Sequence, residues 1–389
     1  MSSSITLSAA TRQNLLSLQD TSALTSTTQN RLSTGKKVNS ALDSPVNFFT
    51  SQSLSARSND LGGLLDGISN GIQTIQAANQ GITSIQKLVD QAKSVTSQAL
   101  ATQVTTSGSA TTAYAAGATS INLIKNGTAV PVTLGATDDI DTAIGKLNAA
   151  IGAGSFSKST DGKNLVLNAK ADIEFKTATD QTALGFAAPA SGATAPSYGT
   201  AVPAVAQSAD LTVLGVSTRK ELAAQYNDLR TQIDQLAKDA SFNGVNLLTG
   251  TDSKLSINFN ENGSSSLNVK GVDATSTGIG IAAIKQATDA DNFLLDSDIK
   301  SNVNLLKSAS DSLRAKSSTF GSNLSVVQNR QDFSKNLINV LDTGSANLTN
   351  ADLNEEAANS QALSTRQSLG ISALSLANQA QQGILQLLR

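Results

Sequence analysis

The sequence predicts a mainly α protein: a long coiled-coil-like helical bundle, forming a rod with a β-hairpin, plus an inserted small α+β outer domain. Three observations predict it. Apolar residues recur at every seventh position over residues 61–100 and again over 299–327. A third segment, 219–240, alternates the gaps of four and three that line side chains along one helix face. Between 119 and 186 the period drops to two around a turn dipeptide, so the helical pattern is interrupted by a different kind of fold.

The elements follow in chain order. Residues 1–30 carry two charges, Arg12 and Asp20, with Leu15, Leu18 and Leu24 set among Ser, Thr, Gln and Asn. The opening MSSSITLSAATRQNLLSL has no basic start and no unbroken apolar stretch, so it does not read as a cleavable secretory signal. Next come Leu61, Ile68, Ile75, Ile82 and Val89, with a second line through Leu64, Gly71, Ala78, Ile85, Ala92 and Ala99. At ~1.5 Å per residue this helix is ~60 Å long, too long for an ordinary globular core. Leu222, Tyr226, Leu229, Ile233, Leu236 and Ala240 form the stripe of the second helix; Ile299, Leu306, Leu313, Phe320 and Val327 form that of the third. Three such stripes cover one another only by lying side by side.

Residues 101–120, rich in Ala, Thr, Ser and Gly, read as a linker. In INLIKNGTAVPVTL, apolar residues alternate on both sides of Asn126-Gly127, a pair suited to a type I′ hairpin turn. TDDIDTAIGKLNAAIG reads as a helix with Thr137 as its cap and with Asp138 and Asp139 at the positive end of its dipole. DGKNLVLNA and DIEFKTA add two strands, giving a ββαββ order over about 119–186, and the Ala/Pro/Gly stretch 187–209 leads back to the rod. SFNGVNLLTG follows the second helix. Leu255, Ile257 and Phe259 then alternate with polar residues, as do Leu267 and Val269, as in a hairpin around Asn262-Gly263. Glu355 and Glu356 mark the first turn of a terminal helix capped by Thr349 or Asp352. Along that helix Leu369, Ala373, Leu376, Ala380, Ile384 and Leu387 fall on one face, and over 357–388 the only charge is Arg366.

Composition narrows the function. The 389 residues include no His, Cys or Trp, and the net charge is −2 from 28 basic and 30 acidic residues. There is thus no thiol for a disulfide or Cys-based metal site, and no imidazole for a His-dependent triad or the usual zinc set. No basic run provides a footprint for nucleic acid, and no stretch of ~18 apolar residues provides a membrane helix. No catalytic, cofactor-binding or metal-binding set stands out, and no cofactor is expected. Both ends are poor in the i,i+4 ion pairs that hold an isolated helix in water. They are expected to pack on each other and on copies of themselves, where an unpaired charge would be costly.

Three separated motifs now carry a resemblance. Arg31-Leu32-Ser33-Thr34-Gly35 is followed by Asn39-Ser40-Ala41; Phe242-Asn243-Gly244-Val245-Asn246-Leu247-Leu248 ends the second helix; and the C-terminal run holds Leu363, Gln367, Leu369, Ala373, Leu374, Ala377, Asn378, Gln379, Ile384, Leu385, Leu387 and Leu388. In this order they resemble bacterial flagellin, over residues 1–100 and about 219–389. Where that family continues Asp-Asp-Ala-Ala-Gly, this chain has Asp43-Ser44-Pro45-Val46-Asn47, a divergent branch.

The resemblance implies a secreted homopolymer: terminal helices in an inner coiled-coil tube, longer helices in an outer tube, and a variable domain projecting outward. It implies residues 1–45 as N-terminal inner-core helix, 46–104 as first rod helix region, 105–215 as outer domain, 216–335 as rod domain and 336–389 as C-terminal inner-core helix. The assembly face expected from it and from the stripes is Leu15, Leu18, Leu32, Leu369, Ala373, Leu376, Ala380, Ile384 and Leu387. The rod seam is Leu61, Ile68, Ile75, Ile82, Val89, Leu229, Ile233, Leu306, Leu313, Phe320 and Val327. Implied partners are the flagellar type III export apparatus, an export chaperone, and hook-associated and cap proteins, with neither nucleic acid nor membrane. The stretch that an animal innate receptor reads in many flagellins, Arg-x-Arg-Glu-Leu, is replaced here by Gln91-Ala92-Lys93-Ser94-Val95. Alternatives are the hook–filament junction protein, which shares such terminal helices, and a carbohydrate-binding or enzymatic insert over 119–209. Few aromatic residues are available there for stacking on sugars.

Overall fold

The computed structural model describes residues 9–117, 119–189, 206–285 and 293–387. The chain divides into two compact units. One comprises the residues up to Ser69, Ile257–Ser266 and those from Gln328 onward; the other comprises Asn70–Ser256 and Leu267–Val327. The fold is mainly α, as the stripes predict. Helix α1 (Ala9–Thr34) precedes α2 (Pro45–Ala101), whose 57 residues begin on a proline. Proline fits a first helical position, where the backbone N–H has no intrahelical partner. After the outer domain come α5 (Val216–Asp239), α6 (Asp296–Thr349) and α7 (Leu353–Leu387).

In the second unit α2 and α6 run antiparallel, with Gln86 Nε2 donating to Ser310 Oγ at 2.6 Å and Ser317 Oγ to Asn79 Oδ1 at 2.8 Å. Ile75, Ile82, Val89, Ile233, Leu306, Leu313, Phe320 and Val327 are buried, and Leu229 is half-buried. Each large aliphatic side chain so covered contributes ~1.5–3 kcal/mol. Ala92 and Val95 belong to the buried line, while Gln91 and Lys93 face solvent. Where α2 meets the end of α5 only glycine fits. A Cβ on Gly81 would stand 2.7 Å from Ala240 Cβ and 2.7 Å from Leu248 Cδ1.

The Phe242–Leu248 motif closes α5. Strands β8 (Ser241–Phe242) and β9 (Val245–Asn246) turn through Asn243 and Gly244, both at positive φ. Asn246 Nδ2 then donates to the last carbonyls of α5, Ala237 at 2.9 Å and Lys238 at 2.8 Å, and Leu247 and Leu248 are buried. Strands β10 (Lys254–Asn258) and β11 (Ser266–Lys270) form the later two-stranded sheet.

The outer domain, also within the second unit, is two sheets around one core. Strand β1 (Thr105–Ser109), β2 (Thr119–Lys125) and β3 (Thr128–Leu134) precede helix α3 (Ile140–Ile151). Then come β4 (Phe156–Lys158), β5 (Leu165–Ala169), β6 (Ile173–Phe175), helix α4 (Ala178–Ala183) and β7 (Leu211–Leu214). The sheets are ordered β4-β5-β1-β7 and β3-β2-β6. Asn126 and Gly127 take φ of 47° and 74° between β2 and β3, the left-handed pair a type I′ turn needs. Ile121, Leu123, Leu147, Phe156, Leu167 and Phe175 lie in the core.

Three details depart from the sequence reading. Residues 105–109 are not linker but β1, flanked by β5 and β7 in its sheet. Its buried side chain is Thr106, whose hydroxyl donates to Ala171 O at 2.8 Å and accepts from Ile173 N at 2.9 Å. Asp139, not Thr137, caps α3, accepting from Thr142 N at 2.9 Å. The long helix α6 does not stop at 335 but runs to Thr349. Asp352 caps α7, accepting from Asn354 N at 2.9 Å, while the Thr349 hydroxyl donates to Ser345 O. Most of the 187–209 stretch lies outside the described residues.

Gly215 joins β7 to α5 at φ +86°, where a Cβ would overlap the carbonyl oxygen of Gln103. Gly215→Ala combines left-handed strain with overpacking against backbone. It is expected to cost roughly 2–5 kcal/mol, read as a lower thermal midpoint of the second unit.

Candidate functional site

The site lies in the first unit, on α1 and α7. Two turns hold these helices. Gly35, at φ +68°, ends α1 with its N–H on Arg31 O at 2.8 Å, the left-handed cap that glycine adopts without penalty. The chain beyond it bridges to the turn between α6 and α7. Lys37 N donates to Thr349 O at 2.7 Å, and Ala351 N to Gly35 O at 2.9 Å. Asp43 folds the Asn39–Ser44 loop, its carboxylate accepting from Ser40 N at 2.9 Å and Asn39 N at 3.0 Å. Those bonds, that from Ser40 foremost, hold its carboxyl below the usual carboxylate range. Ser44, standing where the second acid of the resembled motif would be, offers its carbonyl to Phe48 N at 2.9 Å.

Helices α1 and α7 pack antiparallel. Arg31 Nη1 meets Glu356 Oε1 at 3.0 Å near one end, and a Cβ on Gly370 would touch Leu18 Cγ at 3.1 Å farther along. The covered positions of α1 are Thr11, Asn14, Leu18, Thr21, Thr25, Thr28 and Arg31. Those of α7 are Glu356, Ser360, Leu363, Gln367, Gly370, Leu374 and Ala377. Both sets keep the gaps of three and four of a coiled-coil seam. The seam is mixed, with Leu18, Leu363 and Leu374 among polar and small residues, and its threonines partly satisfy themselves: Thr21 Oγ1 donates to Ser17 O and Thr25 Oγ1 to Thr21 O, each at 2.7 Å.

Most of the large apolar residues face the other way. Leu15 is 41% exposed, Leu369 65% and Leu376 69%, and Leu16, Leu24, Leu32 and Ile371 are exposed with them. Ala373 and Ala380 are exposed as well, and the side chains of Ile384 and Leu387 lie outside those described. Leu18 differs from the rest of its predicted group, being half-buried in the seam against Gly370. The terminal pair therefore turns most of its described large apolar residues outward, in an almost uncharged face. An exposed apolar face of that kind marks a surface for another macromolecule.

Elsewhere in this unit Leu61 and Ile68 are buried, Ser55 Oγ lies 2.8 Å from Ser345 Oγ, and Arg57 Nε approaches Glu261 Oε1 at 3.4 Å. Leu42, Val46, Phe49, Phe333, Val340 and Leu353 are also exposed and were not singled out in the sequence. A heptad count alone does not separate such positions from buried ones.

Comparison with known proteins agrees with this geometry. Residues 5–130 match the family model of the bacterial flagellin N-terminal helical region, and residues 303–388 that of the C-terminal helical region. Flagellin FljM of Caulobacter vibrioides is 34% identical over 178 residues, covering 46% of this chain and 63% of that protein. Flagellin FljK of the same organism is 32% identical over 179 residues with the same coverage. A flagellin of Brucella melitensis is 28% identical over 190 residues, 46% of this chain and 66% of that protein. The chain thus spans somewhat under two thirds of the length of these relatives. With both terminal regions matched in order, and with α1 and α7 paired as they are, the chain belongs to the bacterial flagellin family.

Proposed function

We propose that this chain is a structural subunit of the bacterial flagellar filament, polymerising through α1 and α7 and serving motility rather than catalysis. One observation carries the reading: the terminal helices pair along a narrow, largely polar seam and leave Leu15, Leu369 and Leu376 outside it. Such a face is covered only by another molecule, and a head-to-tail contact between identical copies that does not close generates a helical filament. In the filament α1 and α7 form the inner tube, with Leu15, Leu32, Leu369, Ala373, Leu376, Ala380, Ile384 and Leu387 at contacts between copies. The buried lines of α2, α5 and α6 form the outer tube, and residues 105–215 project from it. The subunit acts outside the cell, and the flagellar export apparatus, a chaperone and the hook-associated and cap proteins are its partners on the way.

Concentrated full-length protein is expected to form long tubes under the electron microscope, whereas a chain ending at Ala351, without α7, remains monomeric at every concentration. Tubes from the shortened chain overturn the assembly role of α7. Failure of the full-length chain to polymerise overturns the reading as a whole.

A further inference from the structure

The outer domain buries two acids that no described residue neutralises. Strand β6 pairs with β2 at only three positions, Leu123↔Phe175, Ile124↔Glu174 and Lys125↔Ile173. Ile173 and Phe175 turn into the apolar core, so Asp172 and Glu174, alternating with them, turn to the opposite face of the strand. Both are buried, Glu174 with no exposure at all, and none of their four carboxylate oxygens has a hydrogen-bond partner.

The surrounding charges do not help. Lys125, on the Ile173 side, donates to Ile151 O, and Lys170 and Lys176 are exposed at either end of the strand. Asp180 of α4 is occupied by Asn122 N at 2.9 Å and by Thr177. The facing residues of β2, Asn122 and Ile124, are uncharged, as are Gln207 and Ser208 beyond the other edge. Between Lys176 and Arg219 the sequence contains no lysine or arginine. Burying even one unpaired carboxylate costs several kcal/mol, so the pair stays buried only while it holds protons.

We propose that Asp172 and Glu174 form a proton-dependent lock on the edge of the outer domain: protonated, they keep β6 closed on β2, and ionised, they release it. The strand has few other holds. Its far edge is clipped by the Gln207 amide, which accepts from Phe175 N at 2.7 Å and donates to Phe175 O at 3.1 Å. Asn126 holds its start, its Oδ1 accepting from Asp172 N at 3.0 Å, and the Thr106 hydroxyl of β1 accepts from Ile173 N at 2.9 Å. Opening therefore frees β6 and residues 206–208 together, and each carboxyl gives its proton to solvent.

Burial pushes Glu174 up to about 8, with the neighbouring Asp172 charge adding to it, and burial pushes Asp172 up to about 6. The sign follows from linkage. The closed strand holds protons that the open strand, with ordinary carboxylates, releases, so closure is strongest in acid. It weakens as pH rises through the ordinary carboxylate range to about 8, where the loss levels off.

Amide hydrogen exchange on the full-length chain, corrected for intrinsic rates between pH 6 and 9, tests the lock. Opening of 173–175 and 206–208 is expected to grow about tenfold per pH unit up to about 8, while amides of α2 and α6 hold steady. The D172N/E174Q chain is expected to lose that dependence. A wild-type chain with no pH dependence at these amides, or a double variant that keeps it, overturns the proposal. So does a carbon-detected carboxyl titration of the wild-type chain in which both groups titrate in the ordinary range. If calcium at pH 9 restores protection to the wild-type chain but not to D172N/E174Q, the pair is a cation site and the proton lock is overturned.

Discussion

Leu369→Glu combined with Leu376→Glu is expected to raise the critical concentration for polymerisation at least ~100-fold while leaving the melting of the second unit unchanged. Both side chains are mostly exposed in the single chain, so little of its own packing depends on them. Glutamate is nearly as good a helix former as leucine, so α7 keeps its propensity. Each leucine covered in a filament returns ~1.5–3 kcal/mol, which for two amounts to ~10²–10⁴ in an association constant. A charge placed in a multi-copy contact adds a desolvation cost on top. The volume-conserving pair Leu369→Met and Leu376→Met is expected to polymerise almost as the wild type does. Sedimentation of polymer against total protein measures all three chains, with calorimetry as the control for folding. Normal polymerisation of the glutamate chain shows that this face is not the contact.

The variant also separates what could be read in the sequence from what could not. The heptad lines through Ile75, Ile82, Leu306 and Leu313 were legible because a long, uninterrupted period of seven has one structural solution, and these residues are buried. The stripe Leu369–Leu376 was legible as a stripe, but its direction was not. Periodicity locates a face and says nothing about what covers it. The covered face of α7 sets Leu363, Leu374 and Ala377 among Glu356, Ser360, Gln367 and Gly370, a line that a hydrophobicity count ranks below the outward stripe. Sequence spacing groups Leu18 with the outward leucines because it does not reveal that Gly370 leaves a hollow opposite it. Strand β1 was lost for a related reason. Thr105-Thr106-Ser107-Gly108-Ser109 has no apolar alternation, and its place between β5 and β7 comes from backbone pairing and one threonine hydroxyl. The hairpin at Asn126-Gly127 was legible because that dipeptide encodes its own backbone geometry.

Arg219 is the residue whose importance the sequence hid most completely, and its loss is expected to be the most damaging to the second unit. It looks like one more charge at the start of an amphipathic helix, yet it is only 3% exposed. Its Nε donates to Thr102 O at 2.8 Å, just past the end of α2. Its Nη1 reaches Leu294 O at 2.8 Å and Phe293 O at 3.3 Å, and Nη2 reaches Asp296 Oδ1 at 2.7 Å, in the first turn of α6. One planar guanidinium thus ties the end of α2 and the starts of α5 and α6, beside both connections to the outer domain. Arg219→Met keeps much of the apolar stem but removes the guanidinium from three carbonyls, a loss of ~1–3 kcal/mol for each that is buried and finds no other donor. A cleft of about 620 Å³ beside Arg219, lined also by Gln103, Lys170 and Asp296, admits water that softens the loss. The expected cost is therefore about 3 kcal/mol rather than 5, or a fall of ~10 °C in the melting of this unit. Arg219→Lys keeps the charge but not the fork, and one ammonium does not span all four acceptors, so its melting falls between the two. Because α1 and α7 are untouched, the Met chain polymerises below its lowered transition. A Met chain that melts with the wild type shows that packing around Phe293 and Tyr226, whose rings meet edge to face at 5.7 Å, holds this end of the bundle without the arginine.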